Sequence, residues 1–147
     1  MKNKILIVDD EKLMRVSLED KLTKEGYAVN SLSNAVEGIK LLQSTNFDAV
    51  ITDLRLPRMD GIDFLREIKK AFPDTVVIIM TAYGSIENAV TAMKEGAYDY
   101  VTKPFPLEEL TIKLQKALKH KDTIAENIML KQRVLSQYGY DNMIGKS

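Results

Sequence analysis

Four short aliphatic runs recur along this chain, and their unbroken character limits what it can fold into. They are Ile5-Leu6-Ile7-Val8, Ala49-Val50-Ile51-Thr52, Val76-Val77-Ile78-Ile79-Met80 and Tyr100-Val101-Thr102. Runs of this length without polar alternation read as strands covered on both faces of a parallel sheet. Three of them end in charge: Asp9-Asp10 after the first, Asp53 after the second and Lys103-Pro104 after the last. The Val76 run ends at Thr81. In open parallel sheets the carboxyl ends of neighbouring strands open into one crevice, where ligands bind. Residues distant in sequence therefore meet there: three carboxylates, one hydroxyl and one ammonium.

Helix signals alternate with these strands. Leu13, Val16, Leu18 and Leu22 space as an apolar stripe that stops at Glu25-Gly26, where glycine suits a left-handed cap. Tyr27 to Leu32 reads as a more polar strand at a sheet edge. Asn34 with Glu37 resembles a capping box opening a helix through Val36, Ile39 and Leu42. Asp60-Gly61 opens another with Ile62, Leu65 and Ile68 inward, and Phe72-Pro73-Asp74 turns into the Val76 strand. Ser85 is placed to cap a helix through Ile86, Ala89, Val90 and Met93, closed by Gly96. Met80 and Met93 are expected in the core. A short strand from Tyr98 to Thr102 follows. Pro106 then suits a first helical position, with Glu108 and Glu109 near the positive end of the helix dipole. Five strand–helix units with right-handed crossovers predict an α/β fold. It is a doubly wound, five-stranded parallel sheet of flavodoxin-like order 2-1-3-4-5 with an extended C-terminal helix. The order reverses beside the first strand, which brings Asp9-Asp10 next to Asp53.

The last helix has no Gly or Pro from Leu107 to about Leu135, enough for roughly 40 Å at about 1.5 Å per residue. The sheet covers only its first turns. Beyond them Ala117, Lys121, Ile124, Ile128, Lys131 and Leu135 keep a four-three spacing, which predicts a weak coiled-coil seam and a dimer over a helix folded back on the domain. The 147 residues carry 21 Lys+Arg and 21 Asp+Glu, so the chain lacks the basic excess of a nucleic-acid-gripping protein. Lys113, Lys116, Lys119 and Lys121 are read as a solvated helix face, and His120 as exposed. No cysteine is present, which excludes disulfides, thiolate metal sites and cysteine nucleophiles. The apolar run behind Met1-Lys2-Asn3-Lys4 is too short for a signal peptide or membrane span, so a cytoplasmic chain without membrane contact is expected.

Taken singly, the strand-end residues have ordinary explanations. Asp10 serves as a helix cap, Asp53 as a turn former, Thr81 as a partner for a loop amide, and Lys103-Pro104 as a surface corner. Together on one sheet edge they require more. Two carboxylates about 5 Å apart repel by roughly 3 kcal/mol at an effective dielectric of about 20, and three need compensation. Lys103 offsets one charge and a divalent cation the rest. Hard oxygens without His or Cys suit magnesium. The set is built to receive a phosphoryl group, with Asp53 as nucleophile and Lys103 neutralising the transferring oxygens.

Val8-Asp9-Asp10-Glu11, Asp53-Leu54-Arg55-Leu56-Pro57-Arg58-Met59-Asp60-Gly61, Thr81-Ala82 and Lys103-Pro104-Phe105, in that order, resemble the receiver domain of two-component response regulators over about residues 1 to 120. The resemblance implies that Asp53 accepts a phosphoryl group from a sensor histidine kinase. It implies magnesium held by Asp10, Asp53 and the backbone carbonyl of Arg55, with Asp9 helping through water, and a cis Lys103-Pro104 peptide. It also implies that Thr81 moves to bond the new oxygens and that Tyr100 turns inward behind it, reshaping the face of the fourth helix, fifth strand and fifth helix. The chain would then be a regulatory domain rather than an enzyme.

Thr81-Ala82-Tyr83-Gly84 and the long last helix are similar to receivers at the front of nitrogen-regulatory activators, whose ATPase remodels sigma-54 polymerase. On that likeness residues 121–137 are a linker helix, and residues 138–147, ending Met143-Ile144-Gly145-Lys146-Ser147, begin an ATPase domain ahead of a DNA-binding one. Gly145-Lys146-Ser147 imitates a phosphate-binding loop, but Tyr140 stands where that motif needs glycine. Three other readings stay open, one of them a stand-alone receiver without an output domain. An aspartate-nucleophile phosphatase would place an Asp-x-Asp pair after the first strand, and a flavin module would want a first loop rich in amides rather than acids.

Overall fold

The computed structural model of the protein describes residues 2–82 and 85–121. Its elements run β1 (Lys4–Val8), α1 (Lys12–Lys24), β2 (Ala28–Leu32), α2 (Ala35–Ser44), β3 (Ala49–Asp53), α3 (Gly61–Ala71), β4 (Val76–Ala82), α4 (Ile86–Lys94) and β5 (Asp99–Lys103). A helix α5 covers residues 107–121. All strand pairs are parallel and the sheet order is β2-β1-β3-β4-β5. The doubly wound sheet expected from the aliphatic runs is the sheet that forms.

Successive side chains of a strand point to opposite faces, so an all-apolar run supplies two cores at once. Leu6, Val8, Val50, Val77 and Ile79 pack on one side with Leu42 of α2, Phe64, Leu65 and Ile68 of α3 and Ala92 of α4. Ile5, Ile7, Ile51, Ile78, Met80 and Val101 pack on the other with Leu18 and Leu22 of α1 and Leu110, Leu114 and Ala117 of α5. The outer strands β2 and β5 are only half-buried, as edge strands must be.

Several helix faces differ from the periodicity. Leu13 and Val16 are 78% and 51% exposed, and α1 buries only Leu18 and Leu22. Met14, Leu18 and Leu22, four residues apart, form the face of α1 that meets the core, and Leu13 and Val16 lie off that face. In α3 the ring of Phe64 is fully buried, whereas Ile62 sits at the margin. Small residues seat α4: Ala89 and Ala92 are buried, while Ile86, Val90 and Met93 are 72%, 47% and 39% exposed. Met93 is therefore a surface residue, unlike Met80. Ser85 makes no side-chain capping bond, and Asn34 supplies half of a capping box, its Oδ1 accepting from the Glu37 amide at 2.9 Å. Ala117, the first residue of the supposed coiled-coil seam, is core. Lys121 turns back to Asp48 at 3.5 Å. The rest of the seam, the linker and residues 138–147, with Tyr83 and Gly84, lie outside the described residues. Among the described residues no helix is long and apolar enough to cross a membrane.

Candidate functional site

The order of the sheet reverses between β1 and β3, so the loops leaving these two strands diverge and leave the crevice open. Asp9 follows the last residue of β1, Asp53 ends β3, Thr81 lies near the end of β4 and Lys103 ends β5. Asp9, Asp53 and Lys103 each stand two residues beyond a side chain of the α1/α5 core: Ile7, Ile51 and Val101. The period of two continues at the rim and brings the three together. The ammonium Nζ of Lys103 donates to Asp9 Oδ2 and Asp53 Oδ2, both at 2.8 Å, and to Glu11 Oε1 at 3.2 Å.

The acids are not equivalent. Asp9 is fully buried, and its Oδ1 accepts the Glu11 amide at 2.8 Å as the chain turns into α1. Burial pushes its carboxyl up from the ordinary range, against the pull of the Lys103 hydrogen bond. Burial alone would lower Lys103, but its hydrogen bonds and charge attraction to Asp53 and Asp9 raise it instead, so it stays an ammonium at any physiological pH. Asp53 is at the border of burial and its Oδ1 accepts the Arg55 amide at 3.1 Å. Asp10 is exposed and caps nothing: the N-cap of α1 is Glu11, which makes no side-chain capping bond either. Oxygens of Asp9, Asp10 and Asp53 all lie within 4.8 Å of one another. Such a trio, all hard oxygen and one member open to solvent, suits a small divalent cation that keeps some of its water. A cavity of about 610 Å³ opens beside it, lined by Asp10, Arg55, Leu56, Pro57, Arg58 and Asp60.

The loop after β3 is held by contact with α3. The Gly61 amide donates to the Leu54 carbonyl at 2.9 Å, and a Cβ on Gly61 would stand 2.4 Å from Leu54 Cα and 2.7 Å from the Asp53 carbonyl. Only glycine permits this approach. The Lys103-Pro104 peptide is cis, as the receiver resemblance implied.

Thr81 and Tyr100 occupy the other face of the sheet. Tyr100 is half-buried against the α2/α3/α4 core, and its strand partner in β4 is Ile79. Thr81 is buried two residues beyond Ile79, and so continues that face. Neither is among the hydrogen-bond partners of Lys103. Three partners escaped the sequence reading. Glu11 was visible as an acid without a role. Arg15, whose Nη1 donates to the Asp9 carbonyl at 2.7 Å, left no pattern at all. Lys113, read as a solvated residue, donates to the Tyr100 carbonyl, lies 5.5 Å over the Tyr100 ring and is 3.5 Å from both Asp99 and Glu109.

Residues 5–115 match the model of the response regulator receiver domain. The chain belongs to this family. The receiver is 37% identical to the regulatory protein AtoC of Escherichia coli over 145 residues, 99% of this chain and 32% of that protein. It is 36% identical to the DNA-binding transcriptional regulator NtrC of Proteus hauseri over 87% of this chain and 28% of the relative. It therefore spans about a third of the length of these relatives. Among solved structures, NtrX from Brucella abortus superposes with a TM-score of 0.87 at 32% identity, covering 91% of this chain and 30% of that one. A receiver domain protein from Clostridium thermocellum gives 0.79 at 38% identity, covering 83% and 98%.

Proposed function

We propose that this receiver is a phosphorylation-controlled switch whose acceptor is Asp53. The donor is a phosphohistidine of a sensor histidine kinase: its phosphorus–nitrogen bond breaks as an Asp53 oxygen bonds to phosphorus, and the imidazole leaves with the electron pair. The observation that carries the reading is the Lys103 ammonium, hydrogen-bonded at 2.8 Å to the carboxylate that is to be phosphorylated and to its buried neighbour Asp9. A cation in that position neutralises charge that the acceptor and the incoming oxygens share. Asp10, Asp53 and the Arg55 carbonyl would hold Mg2+, with Asp9 assisting through water. When bound, that ion supplies further neutralisation of the phosphoryl oxygens. Asp53 is oriented by the Arg55 amide, and Lys103 by Asp9.

After transfer, the Thr81 hydroxyl donates to the new oxygens and Tyr100 moves into the space behind it. The α4 side of the sheet carries the change outward. Phosphorylation biases an equilibrium that already exists, so part of the unmodified chain adopts the active form. The exposed Ile86, Val90 and Met93 of α4 meet a second copy of the chain, alone or together with the linker helix. In this reading the chain is a cytoplasmic regulatory domain, not an enzyme. It neither enters a membrane nor grips nucleic acid itself, and it governs attached ATPase and DNA-binding domains of a sigma-54 activator. The likeness to AtoC, NtrC and NtrX over their receiver portions supports that context.

Acetyl phosphate with Mg2+ tests the acceptor. Intact-mass spectrometry is expected to find one acid-labile phosphoryl group on the wild-type chain and none on Asp53→Ala. The same gain on Asp53→Ala would overturn the assignment. Sustained turnover of a generic phosphomonoester, lost in Asp53→Asn, would favour the phosphatase reading instead.

A further inference from the structure

We propose that Glu11 is a positioning residue that holds the third N–H of Lys103 until a phosphoryl group displaces it, and so sets how fast Asp53 is phosphorylated. The inference rests on the acceptor role of Asp53.

An ammonium has three donors. Here the acceptors are Asp9, Asp53 and Glu11, three carboxylates on one cation. A phosphoryl group arriving at Asp53 brings oxygens that need Lys103, so one of these bonds has to give way. Asp9 is a poor candidate. Its side chain is fully buried, its second oxygen is bonded to the Glu11 amide, and leaving Lys103 would strand a buried carboxylate. Asp53 is the acceptor itself and stays. Glu11 makes the longest of the three bonds, 3.2 Å against 2.8 Å. It is also 64% exposed. Released, it is solvated at once and loses little.

Glu11 also stands at the N-cap of α1, where the dipole favours an anion, so its charge rests comfortably at the mouth of the crevice in the unmodified state. There it opposes an incoming phosphodonor in two ways. It occupies a donor of Lys103, and it adds a negative charge close to a dianion's path. Both costs fall on capture of the donor rather than on the transfer of the phosphoryl group once bound. The exposed position makes the charge effect salt-sensitive, whereas the competition for the N–H is a contact effect and resists screening.

Phosphorylation of the wild-type chain and of Glu11→Gln, Glu11→Ala and Glu11→Asp with acetyl phosphate at saturating Mg2+ tests this. Glu11→Gln and Glu11→Ala are expected to raise the second-order rate about threefold to tenfold, mainly by lowering the donor concentration at half-maximal rate. Glu11→Asp, which keeps the charge, is expected to stay near wild type. Salt of about 1 M is expected to narrow the gap. Calorimetry is expected to give the three variants wild-type Mg2+ affinity. In metal-free protein the 15N signal of the Lys103 ammonium is expected to shift in Glu11→Gln and to stay in Glu11→Asp. Rates equal to wild type, or an unmoved ammonium signal, would overturn the proposal. So would slower phosphorylation with weakened Mg2+ binding, because Glu11 would then support the metal. A wild-type chain that takes up no phosphoryl group would overturn the acceptor reading and this inference together, whereas a phosphorylated wild type with indifferent variants defeats this inference alone.

Discussion

Lys103 balances two carboxylates that burial would otherwise make intolerable, and Asp9 depends on it most. Asp9 has no solvent to fall back on, and its carboxyl is already pushed toward protonation. Lys103→Met removes the cation and leaves that charge buried. Breaking a buried pair from one side costs about 3 kcal/mol or more, but the Lys103 side chain keeps 17% exposure, so about 2 kcal/mol is expected at neutral pH. Urea unfolding measures the loss. Saturating Mg2+ is expected to recover most of it, because a cation on the same acids replaces the missing charge. An equal loss with and without Mg2+ would show that Lys103 acts through packing of its stem instead. The identities of Asp9, Asp10, Asp53 and Lys103 were legible in the sequence because each interrupts an aliphatic run. Arg15 was not: it bonds a backbone carbonyl, and any residue type offers one.

At the scale of elements, the strands were more legible than the helices. A strand buried on both faces must be apolar throughout, so Ile5 to Val8 admits one interpretation. A helix buries a stripe whose width depends on how far its neighbours reach. Leu13 and Val16 were read into the stripe of α1, yet the face that packs is Met14, Leu18 and Leu22, and the two remain exposed. In α4, Ala89 and Ala92 set the contact because the helix sits close, and the larger Ile86, Val90 and Met93 face outward. The junction of α3 with the β3 loop is the tightest contact near the site. Gly61→Ala would set a methyl carbon 2.4 Å from backbone that cannot rotate away. The expected cost is about 2 to 3 kcal/mol, with slower phosphorylation as the Asp53-to-Arg55 segment is displaced. Chemical denaturation and the acetyl phosphate assay check the two effects separately. A variant of wild-type stability would mean that α3 slides at little cost.

For the whole molecule, the apolar side chains left exposed on α4 predict association. Val90→Asp together with Ile86→Asp is expected to weaken the proposed dimer at least tenfold, equivalent to about 1.4 kcal/mol, without lowering stability, since neither residue is buried. Sedimentation with and without a phosphoryl mimic checks this, and unchanged association would place the contact elsewhere. The sequence by itself determined the parallel sheet, its order and the rim on which the acids and Lys103 collect. It could do so because an unbroken apolar run has few ways to be buried, and a charge at its end has only the sheet edge to occupy. Only the tertiary structure decided that Lys103 binds Asp9 and Glu11 as well as Asp53, that Asp10 is left open to solvent, and that Lys113 backs Tyr100. Those choices depend on reach and angle between side chains far apart in the chain, and local pattern carries no record of such distances.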